Sequence, residues 1–199
     1  ARRRPRSSLI YPINKLTYRL IKSGILSRAY SSHINFITKC PSEKYLVASK
    51  WGKRVVHEEL GLKFEELESM VDNTYSDSDL ASPFASGSNY FDSLVIVPCS
   101  VSTLNKIASG ISDTLITRMA QVALKERRRL VIALRETPLD SITLENALKL
   151  SKSGAIIAPV SPGLYLEESS ISDLGDTFSV KLLSLVGLHK DNGWRNEEI

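Results

Sequence analysis

Cysteine is scarce in this chain: two residues in 199, Cys40 and Cys99, lie outside any CxxC or Cys/His grouping. That excludes a disulfide framework and a structural zinc, and makes a reducing compartment the default. Long apolar runs are missing as well. The longest, residues 94–99 and 130–134, fall far short of the roughly 18 residues that a bilayer-crossing helix needs. Ten glycines and eight prolines are too few for a collagen-like chain, and 42% apolar against 24% charged side chains excludes wholesale disorder. Neither a GxGxxG fingerprint nor a Walker spacing occurs.

One further absence is local. Residues 1–42 carry nine Lys or Arg and no acid, whereas residues 43–199 carry 17 basic and 22 acidic side chains, so the net charge of +4 hides segments of +9 and −5. An Arg- and Ser-rich, acid-free stretch with an amphipathic pattern over 13–26 has the composition of a mitochondrial transit peptide, with a processing site expected near Tyr30. The same charges would also suit a basic arm for nucleic acid or anionic lipid. We divide the chain accordingly into a leader, 1–42, and a globular domain, 43–199.

From residue 44 on, short β-branched runs alternate with helical patterns. Strands are expected at 44–49, 93–98, 130–134 and 155–159, helices at 50–60, 103–109, 114–127, 144–153 and about 171–185, and a polar connecting loop over 65–90. The run SLVIVP is of the kind buried on both faces of a parallel sheet. Three successive strands then end in polar loops, which an open parallel sheet gathers at its carboxyl edge. These loops bring Ser100, Ser102 and Thr103, then Arg135 and Glu136, then Tyr165. A Ser/Thr-rich turn with free N–H groups suits a phosphate, and it equally suits a plain helix cap. Arg118 and Lys125, seven residues apart, share a helical face and are candidates to line a pocket. Arg127, Arg128 and Arg129 read as a solvated helix end favoured by the C-terminal dipole.

The ordered set PCS, TR followed by LKERR, RETPL, TLEN and PGLY within residues 96–165, together with VASKWGKRVVHEELG at 47–61, ASGS at 85–88 and a late Trp194, closely resembles the flavin prenyltransferases associated with ubiquinone-pathway and phenylacrylic-acid decarboxylases. The resemblance covers roughly residues 44–196. It implies a three-layer α/β, Rossmann-like (flavodoxin-like) homo-oligomer with sites at subunit interfaces. The implied reaction joins a dimethylallyl group from dimethylallyl phosphate to reduced FMN, at N5 and then C6, without a metal. The product, prenylated FMN, would go to a dependent decarboxylase; neither nucleic acid nor membrane is an expected partner.

By the same resemblance Ser49, the turn Ser100, Val101, Ser102 and Thr103, and Arg135 hold the flavin. Lys125, Arg135, Tyr165, Lys181 and Arg118 grip the prenyl phosphate, and Glu59 and Glu136 handle protons near the reacting ring. Cleaving an allylic C–O bond leaves an allyl cation and a phosphate of growing charge, so fixed cations suit the task, and an aromatic wall such as Trp194 suits the carbocation. Lys181 stands where the family has an arginine, which keeps the charge and loses the planar fork.

The family begins with a strand and a Gly-Ala-Ser-Gly or Gly-Ala-Thr-Gly turn. No such turn occurs here, and the candidate strand at 34–38 stands only five residues before Lys44, too close for a parallel crossover. The sequence is thus expected to lack the first strand and its loop. A second function class follows from that expectation: a weakened or inactive relative that binds flavin or forms oligomers. The related flavin-dependent cysteine decarboxylases depend on an active-site histidine, and His33, His57 and His189 stand in unsuitable places.

Overall fold

The computed structural model describes residues 8–13, 43–60, 63–69, 71–161, 178–179 and 181–187, with backbone alone for 8–13, 55–56 and 59–60. Its elements run β1 (Ser8–Ile13), β2 (Glu43–Ala48), α1 (Lys50–Leu60), α2 (Phe64–Glu68), β3 (Asn73–Ser76), a 3-10 turn (Pro83–Ala85), β4 (Ser93–Cys99), α3 (Val101–Ala108), α4 (Leu115–Lys125), β5 (Arg129–Leu134), α5 (Ser141–Lys152) and β6 (Ile156–Ile157). The six strands form one sheet in the order β3-β2-β1-β4-β5-β6, with every neighbouring pair parallel. This is the doubly wound arrangement, whose strand order reverses between β1 and β4 and opens a crevice there.

Two sequence expectations are corrected here. The first strand is present: β1 pairs with β2 along its whole length and with β4 at Leu9↔Ser93 and Ile10↔Leu94. β1 thus stands in the middle of the sheet although its residues fall within the basic stretch 1–42. Ile13, taken as the start of an amphipathic helix, ends this strand. Pro12 obscured the assignment, since a proline in a central strand removes a ladder N–H; the β4 ladder ends two residues before it. The rest of 14–42, including the 34–38 candidate, lies outside the described residues. The second correction concerns 65–90, read as loop, which contains α2, the strand β3 and the 3-10 turn. Asn-Thr-Tyr-Ser carries no apolar alternation to announce a strand; its register against Tyr45 to Ala48 makes it one.

β4 and β5 are buried on both faces, as their unbroken apolar runs require. On one side Leu94, Ile96, Leu130 and Ile132 pack with Phe91, Leu104, Leu115 and Met119 in the main core. On the other Val95, Val131 and Ala133 meet Phe178 and Leu182 of the helical residues 178–179 and 181–185. Cys99 ends β4 at 1% exposure, and burial pushes its thiol up to about 12. We predict that iodoacetamide at pH 8 leaves Cys99 unmodified in the folded protein and labels it once denaturant is added, since the thiolate is the reactive form; peptide mass mapping reads the difference.

Arg128 departs from its expected place on a solvated helix end. Its guanidinium donates to the carbonyls of Asn89 (2.8 Å) and Gly87 (2.6 Å) and lies 4.6 Å from the Phe91 ring centroid and 5.3 Å from that of Tyr90. The charge-assisted bonds and the ring contact together clamp the ASGS segment onto the end of α4. Arg128→Ala is expected to lower stability by about 2 kcal/mol, read as a shift in the urea midpoint at constant slope.

Candidate active site

The cavity at the switch point measures about 320 Å³, at the small end of ligand pockets. Its floor is apolar, from Ile96 and Pro98 of β4 and Ile116 of α4. Pro98 has no N–H to give β5, and the ladder shifts register between Ile96 and Cys99, a local irregularity just before the site. Around the floor stand Ser49 and Trp51 from the start of α1, Ser100, Ser102, Thr103 and Lys106 from α3, Asp77 after β3, and Thr114 and Thr117 from the start of α4.

Hydrogen bonding sorts these groups into capping and available ones. Ser49 Oγ accepts from Gly52 N–H at 3.0 Å, so it caps α1 while facing the cavity. Ser100 Oγ accepts from Thr103 N–H at 3.3 Å and lies 3.1 Å from the Thr103 hydroxyl, capping α3. At α4 the first N–H groups are all occupied: Leu115 donates to the Asp77 carbonyl, Ile116 to the Asp77 carboxylate and Thr117 to Thr114 Oγ1. The start of α3 differs. Among the described residues no acceptor meets the N–H groups of Val101 or Ser102, which leaves two donors and the positive end of the helix dipole at the cavity. Lys106 is the one cation on the lining among the described residues, and its Nζ pairs with Asp113 at 2.6 Å. That hydrogen bond holds the exposed Asp113 carboxyl below its ordinary range.

Of the residues singled out from sequence, Ser49, Ser100, Ser102 and Thr103 line this cavity, while Val101 is half-buried against the main core. Arg135 joins them at the same edge: its N–H donates to the Cys99 carbonyl at 3.0 Å, one residue before the Ser100 turn. Its side chain and that of Glu136 are exposed, with the Glu136 carboxylate accepting from Thr137 N–H at 3.1 Å. Val160 N–H donates to the Leu134 carbonyl at 2.8 Å, so the segment leading to PGLY reaches this edge as well. Tyr165, Trp194, His33 and His189 lie outside the described residues, as does the side chain of Glu59. His57 is exposed on α1.

Arg118 and Lys125 are not brought to the cavity of their own chain. Arg118 Nε donates to the Ala85 carbonyl at 2.9 Å, on the flank of α4 that faces the 3-10 turn. Lys125, paired with Glu126 at 3.0 Å, lines a separate cavity with Arg127, Lys149 and Lys152 at the helix C-terminal ends. The cavity residues head α4 and Lys125 closes it, about 15 Å further along. The sequence puts the two residues on one face but does not reveal that only the first turn of the helix meets the cavity. Lys181 is exposed beside the second core cluster. Sequence reading missed Trp51, Asp77, Lys106, Thr114 and Thr117. Lys106 carried a local signal, standing three and four residues after Thr103 and Ser102; Asp77 carried none, because it caps a helix 39 positions away.

This geometry has close counterparts. The Flavoprotein family model matches residues 9–180. The flavin prenyltransferase UbiX of Thermoplasma acidophilum is 48% identical over 75% of this chain and 83% of its own length. The chain belongs to the flavin prenyltransferase family. PAD1, the mitochondrial flavin prenyltransferase of Saccharomyces cerevisiae, is 39% identical over 79% of this chain and 65% of its own. Among solved structures, that of AnUbiX (PadA1) in complex with FMN and dimethylallyl pyrophosphate superposes with a TM-score of 0.78 at 34% identity, covering 96% of this chain and all of that one. A dodecameric FMN-dependent UbiX-like decarboxylase from Escherichia coli O157:H7 gives 0.82 at 30% identity, over 94% and 98% of the two chains. The match from residue 9 agrees with β1 as the first strand of the family domain.

Proposed function

We propose that this protein transfers a dimethylallyl group from dimethylallyl phosphate to reduced FMN, and that the cavity between Ser49 and the Ser100 turn holds the flavin. The supporting observation is the pair of unengaged N–H groups at Val101 and Ser102, set among hydroxyls and one lysine above an apolar floor. A phosphate-bearing planar heterocycle fits that donor set: the anion suits the helix start, and the rings suit Ile96, Pro98 and Ile116. The reduced flavin supplies the nucleophile that receives the prenyl carbon as the allylic C–O bond breaks and phosphate departs. Arg135, at the same sheet edge, stabilises the departing charge in place. Glu136, next in sequence, accepts the proton released on ring closure. Tyr165 and Lys181 complete the phosphate grip.

Lys125 and Arg118 take part from a neighbouring copy, which makes the working unit a homo-oligomer with sites between subunits. Their separation from the cavity of their own chain supports this arrangement, as does the dodecameric relative. A prenylated-FMN-dependent decarboxylase is the expected recipient of the product. The acid-free basic composition of 1–42 and the mitochondrial relative support a mitochondrial address.

The absence of a Gly-Ala-Ser-Gly turn favours a second reading, a flavin-binding relative with weakened transfer. One experiment separates the two. Purified protein incubated with FMN and freed of unbound flavin by gel filtration is expected to stay yellow, and the dithionite-reduced complex is expected to change its flavin spectrum on adding dimethylallyl phosphate. Binding without that change leaves the second reading, and a protein that retains no flavin ends the first and leaves only an oligomer-forming relative.

A further inference from the structure

Trp51 is 65% exposed, the most open large apolar side chain among the described residues. It stands in the first turn of α1, two residues past Ser49, and lines the cavity beside Ile96 and Pro98. Its one ring contact among the described residues is with Arg54, whose guanidinium carbon lies 5.7 Å from the ring centroid and which is itself paired with Glu58 at 2.7 Å. An indole is a costly group to leave in water. The cavity lining joins hydroxyls, Lys106 and the N–H groups at the start of α3, which suit an anion, to the apolar Ile96, Pro98, Ile116 and Trp51, with Asp77 engaged in capping α4. A ligand that couples a phosphate to a flat aromatic system meets both kinds of group.

Resting on the flavin reading above, we infer that Trp51 is the outer wall of the cavity and stacks on the isoalloxazine ring. Its neighbours in the lining place the indole where a ring held over Ile96 and Pro98 would otherwise face water. Stacking of this kind is tolerant of ring substitution, because every aromatic system offers a π-face. The residue would therefore serve the flavin before and after a ring is added to it. An indole in contact with a flavin also quenches its emission by electron transfer, a short-range effect that a merely structural residue does not produce.

The test uses the full chain carrying Trp194→Phe, since only two tryptophans occur and this leaves Trp51 as the single indole. FMN is titrated into that protein and into versions that also carry Trp51→Phe or Trp51→Leu, following flavin emission, with size-exclusion profiles and thermal melts beside them. Being exposed, Trp51 is replaceable without loss of the fold, and unchanged melting temperatures verify this. With Trp51 present, bound FMN is expected to be strongly quenched. Trp51→Leu is expected to restore emission and raise the Kd about 10-fold, with Trp51→Phe between the two. Unchanged affinity and quenching in Trp51→Leu overturn the inference and leave the functional reading intact. A change in oligomer size with flavin binding unaltered also overturns it, and assigns the indole to a subunit contact. If no version binds FMN, including the one that keeps Trp51, the functional reading falls and the inference with it.

Discussion

Deleting residues 1–13, or cutting the chain near Tyr30, is expected to abolish cooperative folding. Among the described residues β1 is the only link between the two halves of the sheet: it pairs with β2 at six positions and with β4 at two, and β2 has no ladder with β4. Without it, β3-β2 and β4-β5-β6 become separate pieces with two newly bare edges, each an invitation to pair with another chain. The switch point at which the cavity sits disappears with it. The truncated protein is expected to retain helical far-ultraviolet dichroism, bind a hydrophobic dye and lose its thermal transition. A truncated chain that melts cooperatively at the full-length temperature would show that β1 does not hold the sheet together. The same reasoning constrains any import signal in this region, because a cut downstream of Ile13 removes a structural strand.

Activity in mixtures of two inactive variants is the second large effect. Lys125→Ala and Arg135→Ala are each expected to lower prenyl transfer by about 10²-fold or more, the usual loss when one preorganised charge is taken from a developing anion. If the two residues act across a subunit boundary, co-assembled variants regain activity, because some sites draw Lys125 from one copy and Arg135 from the other. Random co-assembly of equal amounts restores roughly one quarter of the sites in a symmetric ring of such interfaces. If both charges served the same cavity from one chain, no mixture would recover, since every subunit would carry a damaged site. The position of Lys125 at the far end of α4 from the cavity favours recovery. A double variant mixed with wild type gives the baseline for dilution alone.

The parts of the fold that were legible in the sequence are those encoded locally. β4 and β5 announce themselves by unbroken apolar runs, and the Ser100 turn by hydroxyls directly after one of them; the cavity is found where those signals meet. α1 and α5 follow from amphipathic spacing, and α5 is capped by Asp140, whose carboxyl accepts from Thr143 N–H at 2.7 Å and is held below the usual carboxylate range by it. What stayed hidden depends on partners far along the chain. β1 contains a proline and sits in a basic segment, so its composition pointed elsewhere. β3 exists because Tyr45 to Ala48 lie beside it. Arg128 reads as one of three solvated cations until the carbonyls 39 and 41 residues earlier are seen to meet it. Arg118 and Lys125 were grouped by angle around a helix, whereas the structure separates them along its length.

The register Leu9↔Ser93 has a bearing on synthesis. A ribosome exposes β1 long before it has made the strand that flanks it on the far side, and at ~5–20 residues per second the interval lasts several seconds. Throughout that time the nascent chain carries the middle of its future sheet with one neighbour still untranslated, which leaves an unpaired strand edge open to pairing with other chains.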